Sequence, residues 1–269
     1  MKILFTTVCV KSIPEDQLLL LIDSAKRYFL KDHQVDFVVF TDQNTFPHIQ
    51  DVNFVKIDNT HSNSINYYQF QKVLSLNYYN LDEYDYIFVN DTDQMYINHV
   101  ADEDLISNQL VIMNHFDPNC RTKSSLENFW SDVIRIEDAE IKHTMGNFFG
   151  GPKEIIKGFL SFCNEIWQHH KNDIFHHANF FTMYPEECLL IKFICENNIK
   201  EKRMSAISHF DKGFMTNINA CIENIGEIEE KDFLHTLGNF SVRFKENFKL
   251  IHNTKCSLRL CRKLFELTE

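Results

Sequence analysis

Tyr84-Asp85-Tyr86-Ile87-Phe88-Val89-Asn90-Asp91-Thr92-Asp93-Gln94-Met95-Tyr96 is the stretch on which the reading of this chain turns. Tyr86 to Val89 is a β-branched and aromatic run, the pattern of a buried strand. The run stops on two carboxylates spaced i, i+2, Asp91 and Asp93, with polar Asn90 and Gln94 beside them. In a parallel α/β sheet, ligands bind outside the carboxyl ends of strands. Two hard oxygen donors there suit a divalent cation that keeps its other positions for water and phosphate oxygens. The plainer alternative is a turn, since Asp and Asn bond their own backbone.

The flanking sequence alternates strand and helix. Residues 2–10 read as a buried first strand, and Asp16 to Phe29 carries Leu18, Leu21, Ile22, Ala25 and Phe29 at the helical period. Strands follow at Asp36 to Thr41 and Asn53 to Ile57, then a helix at Asn66 to Tyr79. That alternation predicts a mostly parallel sheet with helices on its faces. Further on, Gln109 to Met113 reads as a strand, 117–142 as a polar loop with Arg121 and Lys123, and Lys153 to His170 as an amphipathic helix. Three of the seven glycines lie within Gly146 to Gly151, which marks backbone that approaches something closely or takes a positive φ. A helix starts near Pro185, and the helix dipole alone accounts for Glu186 and Glu187 in its first turn.

Composition limits the function classes. With 269 residues, 44% hydrophobic content and 25 Phe, the chain can build an ordinary core. A net charge of −11 argues against nucleic-acid partners, whose phosphates call for basic patches. No G-x-G-x-x-G or G-x-x-x-x-G-K occurs. The eight cysteines show no C-x-x-C and no metal spacing, which fits a reduced, cytoplasmic chain. Nor does the first strand read as a signal sequence or a membrane anchor. The pairs His169-His170 and His176-His177 lack zinc spacing and read as solvated helix-end residues. The tail, residues 253–269, alternates basic and apolar residues. It reads either as a weak peripheral membrane contact or as a docked terminal helix.

Four segments carry a resemblance: LLIDSAKRYFLKDHQVDFVVFTDQ (20–43), NDTDQMYINHV (90–100), MGNFFGG (145–151) and YPEECLLIKF (184–193). Together, and in this order, they resemble the blood-group A/B and α-1,3-galactosyltransferase family, glycosyltransferase family 6. The resemblance implies a single Rossmann-like GT-A domain over 1–269. Residues 1–115 would be the nucleotide-sugar half, 116–252 the acceptor and catalytic half, and 253–269 the tail. It implies retaining α-1,3 transfer of galactose or N-acetylgalactosamine from a UDP-sugar to a galactoside in a glycan acceptor.

Carried over by position, Asp91 and Asp93 would hold manganese, and Glu187 matches the candidate nucleophile. Cys9 and Val10 would line the uracil, while Lys72, Thr92, Met145, Gly146 and Asn147 join the two acids in contacting the donor. His115, Tyr184 and Asp211 fall at acceptor positions, with His252 and Lys255 at the diphosphate. The family's vertebrate members carry a membrane anchor and stem; without them the chain resembles the soluble bacterial or viral members. Its C-terminal basic segment matches poorly. Bulk at Met145 and Asn147 favours galactose as donor, whereas an Asn147 hydrogen bond to an acetamide would favour the other sugar. Two rivals stand beside this reading: another retaining GT-A transferase of the glycogenin-like type, and a sugar-binding module without turnover.

Overall fold

The computed structural model describes residues 1–10, 13–43, 46–58, 65–114, 144–176, 185–207, 215–217 and 249–252. Its centre is β1 (Lys2–Cys9), flanked by β2 (Gln34–Thr41) and β4 (Tyr86–Asn90), both parallel to it. With β3 (Asn53–Lys56), β6 (Leu110–Asn114), β7 (Thr144–Pro152) and β8 (Glu201–Met204) it forms a seven-stranded sheet of order β3-β2-β1-β4-β7-β6-β8. Only β7 is antiparallel to its neighbours β4 and β6, so the sheet is mostly parallel, as the alternating sequence predicts. The chain leaves β1 toward β2 and β3 on one side and returns to β4 on the other. The gap between the ends of β1 and β4 is therefore a topological switch point.

A core covers each face of the sheet. On one, α2 (Ile65–Leu74), α4 (Lys153–His176) and α5 (Pro185–Asn197) bring Phe70, Phe159, Leu190 and Phe193 onto Leu4, Ile87 and Phe149. On the other, α1 (Glu15–Tyr28) packs Leu18, Leu21, Ile22 and Ala25 onto Ile3, Phe5, Phe88 and Tyr96. Phe29 sits edge-on to Phe5, Phe88 and Tyr96 with ring centroids 5.1–5.4 Å away, an arrangement that aromatic quadrupoles favour. Below this face lies a four-stranded sheet, β5 (Gln94–Tyr96)-β11 (Leu250–His252)-β10 (Met215–Asn217)-β9 (Ala206–Ile207). The short helix α3 (Asp102–Leu105) follows β5.

The glycine cluster forms most of β7 rather than a loop. Gly150 pairs with Phe88, and a Cβ there would stand 2.2 Å from that ring and 2.6 Å from the Ile87 carbonyl. Gly151 takes φ +149°, open to glycine alone at no strain. Both readings of the cluster, close approach and positive φ, thus hold at different residues. The helix expected at Asn66 to Tyr79 is shorter: α2 ends at Leu74 and a 3₁₀ turn, Ser75–Tyr78, completes it. Conversely, α4 runs six residues past His170, so His169, which is exposed, lies along the helix and not at its end.

Candidate active site

A cavity of about 260 Å³ opens where β1 and β4 end. Val8, Val10 and Ile13 wall it, with Gln17 from α1, Gln69 and Lys72 from α2, and Asn90, Asp91, Thr92 and Asp93 from the end of β4. Gln69 and Lys72 are i, i+3 on α2 and so share a face. The acidic turn is held from three sides. Tyr96 donates its hydroxyl hydrogen bond to Asn90 Oδ1 at 2.6 Å, and Gln17 Nε2 donates to Thr92 Oγ1 at 3.5 Å. The Asp91 N–H donates to the Asn147 carbonyl of β7 at 2.9 Å.

Lys72 joins this turn to α5. Its ammonium lies 2.6 Å from Asp91 Oδ1 and 2.8 Å from Glu186 Oε1. Burial lowers the pKa of Lys72, but the charges of Asp91 and Glu186 outweigh it and hold the group above the usual lysine range. Glu186 is 1% exposed, and burial pushes its carboxyl up to about 7. Lys72 pulls the other way, while Glu187 and Asp91 add to the rise; one shared ammonium does not offset desolvation plus two neighbouring acids. Glu187, also buried, accepts the Gly146 N–H at 3.3 Å through Oε1. Gly146 and Asn147, which contact Glu187 and Asp91, lie in the stretch of β7 where the pairing with β6 slips register between Ile112 and Met113.

The structure therefore brings Val10, Lys72, Asp91, Thr92 and Asp93 to one cavity, with Gly146, Asn147 and Glu187 adjoining it. Cys9 is placed otherwise. Side chains alternate along β1, so its thiol is buried in the α1-side core, where burial pushes its pKa up to about 12, and Val8 joins Val10 at the cavity. Met145 likewise packs in the α1-side core. The room beside Gly146 is filled by Glu186, not left for a ligand: a Cβ there would stand 2.4 Å from Glu186 Cγ. Asn147 directs its amide nitrogen to Met215 Sδ at 3.4 Å, and its Oδ1 has no partner among the described residues.

Glu186 itself is a residue that the helix-dipole reading passed over. The signal was present, because Glu186, Leu189, Leu190 and Phe193 share the i, i+3, i+4, i+7 stripe of α5. His252 ends β11 opposite Gln94. His115, Tyr184, Asp211 and Lys255 lie outside the described residues, as do the 117–142 segment and the 253–269 tail.

Among the described residues no three His, Cys, Asp or Glu side chains converge as a ready-made metal cage. The donor set nevertheless fits a hard divalent cation. Asp91 and Asp93 supply oxygens from one turn at the cavity, and Asp91 shares the Lys72 ammonium with Glu186. No helix among the described residues is long and apolar enough to cross a membrane. Comparison with protein-family models and with curated proteins gave no match.

Proposed function

We propose that the chain is a metal-dependent retaining glycosyltransferase of the GT-A type. It moves galactose or N-acetylgalactosamine from a UDP-sugar to the 3-hydroxyl of a galactoside-containing glycan in α linkage. The observation that carries this reading is that Lys72, Asp91 and Asp93 line one cavity at a sheet switch point, and that Gly146 and Glu187, bonded to each other, lie next to Asn147, whose carbonyl accepts the Asp91 N–H. The family resemblance assigns those residues to donor, metal and catalysis.

The residues divide the work. Val8 and Val10 offer an apolar wall suited to a base, and Gln17 and Gln69 offer amides beside it. A divalent cation on Asp91 and Asp93 would neutralise charge on the departing diphosphate. Lys72 puts a second positive charge at the same lip of the cavity. Glu187 supplies a buried carboxylate for the anomeric carbon, either as nucleophile or as the charge that shields an oxocarbenium-like centre.

The test is a panel of UDP-sugars read by release of free UDP, with and without Mn²⁺ and a fucosylated galactoside. UDP-galactose or UDP-N-acetylgalactosamine should be turned over, with acceptor stimulation. EDTA should abolish turnover, and Asp93→Asn should lower it on the order of 10²-fold, the scale of losing a preorganised charge stabiliser. Binding of the nucleotide sugar without any UDP release would identify a binding module, and full activity in EDTA would remove the metal from the reading.

A further inference from the structure

With Asp91 and Asp93 taken as the cation ligands proposed above, Lys72 stands in competition with the metal. The Lys72 ammonium is the joint between three elements: α2, the turn after β4, and the first turn of α5. A divalent cation on the same Asp91 oxygen would lie roughly 2.0–2.6 Å from it. The ammonium already holds that oxygen at 2.6 Å. The site is mostly buried, with Lys72 12%, Asp91 21% and Glu186 1% exposed, so two cations on one oxygen would repel far more than in water. Glu186, for its part, has a second buried oxygen, Oε2, with no partner among the described residues.

We propose that Lys72 is a resident counter-ion that holds Asp91 while the metal is absent and passes to Glu186 when the metal loads. The N–H that leaves Asp91 is taken by Glu186 Oε2, and the existing contact to Oε1 is kept. Glu186 thereby keeps its ion pair throughout, and Asp91 exchanges one cation for another. Asp91 and Glu186 share one cation before the metal loads and have one each afterwards, so the handover lowers the uncompensated buried charge.

The experiment titrates nucleotide-free protein with Mn²⁺ alone, counting free ion by electron paramagnetic resonance, with the Mn²⁺-induced shift in melting midpoint as second readout. Lys72→Gln, which keeps a hydrogen-bond donor between the acids, should bind Mn²⁺ on the order of ten-fold more tightly than the native protein, a usual size for coupled sites. Lys72→Met should do the same, and either variant decides should the other fail to fold. Glu186→Gln should weaken Mn²⁺ binding in the native background and have little effect in Lys72→Gln. If Glu186 acted only through its negative field, its loss would weaken binding equally in both backgrounds; that equality overturns the proposal. So does a Lys72→Gln variant that binds no more tightly than the native protein. If the native protein binds Mn²⁺ and Asp93→Asn does not, either of those results leaves the metal-site reading standing. Absence of Mn²⁺ binding in the native protein and in every variant overturns both.

Discussion

Gly146 and Glu186 occupy one another's space: a Cβ on Gly146 would stand 2.4 Å from Glu186 Cγ and 2.7 Å from its Oε1. The clash falls on the side chain that holds Lys72. Gly146→Ala should therefore destabilise the protein by about 1–3 kcal/mol, as overpacking does. Urea unfolding checks this, and a loss below about 0.5 kcal/mol, the range of ordinary surface changes, would show that the neighbours yield freely. Gly150→Ala should be worse, because there the clash is with the Ile87 carbonyl as well as the Phe88 ring.

Glu186 also sets a pH dependence. Its carboxyl rises from an ordinary 4.5 to about 7 in the fold, so the folded protein binds the proton more tightly than the unfolded chain does. The stability from this group is complete below about pH 4.5 and is lost as pH rises to about 7, by roughly 3 kcal/mol. Glu186→Gln cannot lose that proton. Its unfolding free energy relative to the native protein should climb across this window and level off above it. A flat difference from pH 5 to 8 would mean that Glu186 is ionised throughout.

Tyr96 and Asn90 form a buried pair at the root of the acidic turn. Asn90 Nδ2 has no partner among the described residues, and the 2.6 Å bond from Tyr96 satisfies the acceptor half of its amide. Tyr96→Phe should cost about 1–3 kcal/mol, the penalty of leaving a buried acceptor unmade. Thermal unfolding in the absence of ligands reads this directly; an unchanged midpoint would show that another donor takes over.

In the proposed reaction Glu187 would act in the transition state, as nucleophile or charge stabiliser. Glu187→Gln should lower kcat while leaving the donor KM nearly unchanged. A carboxylate that served only the helix dipole would instead give normal kcat and a stability loss of roughly 0.3–1 kcal/mol. Glu186 is no neutral control for this comparison, because it touches Lys72 and through it Asp91.

The parts legible in the sequence are those with a period. Strand β1, helix α1, strand β2 and the Tyr86–Asn90 strand declared themselves through continuous apolar runs or a 3.6-residue stripe, and the Asp91-x-Asp93 turn lies at a strand end as read. The direction of β7 was not legible, because antiparallel pairing with β4 and β6 leaves no local mark in nine residues. The choice of Val8 over Cys9 for the cavity was available from alternation alone. The Lys72–Glu186 contact was not, since it joins positions 114 apart and depends on how α2 and α5 lie together. β5 and β11 are three residues each, too short for any periodicity.

Those two short strands carry a consequence for how the molecule comes into being. β5, which begins one residue after Asp93, is held in its sheet by antiparallel pairing to Leu250–His252, with Tyr96 opposite Leu250 and Gln94 opposite His252. The acidic turn is thus clamped on its downstream side by chain that leaves the ribosome some 150 residues after it. The main sheet up to β8 can assemble beforehand, but such distant pairing is slow to close. The nascent chain should therefore pass through a stage in which the large sheet is formed and the turn, already held by β4, Gln17 and β7, lacks its downstream strand pairing. A release from translation before residue 250 would leave a folded scaffold whose acidic turn has no paired strand after it.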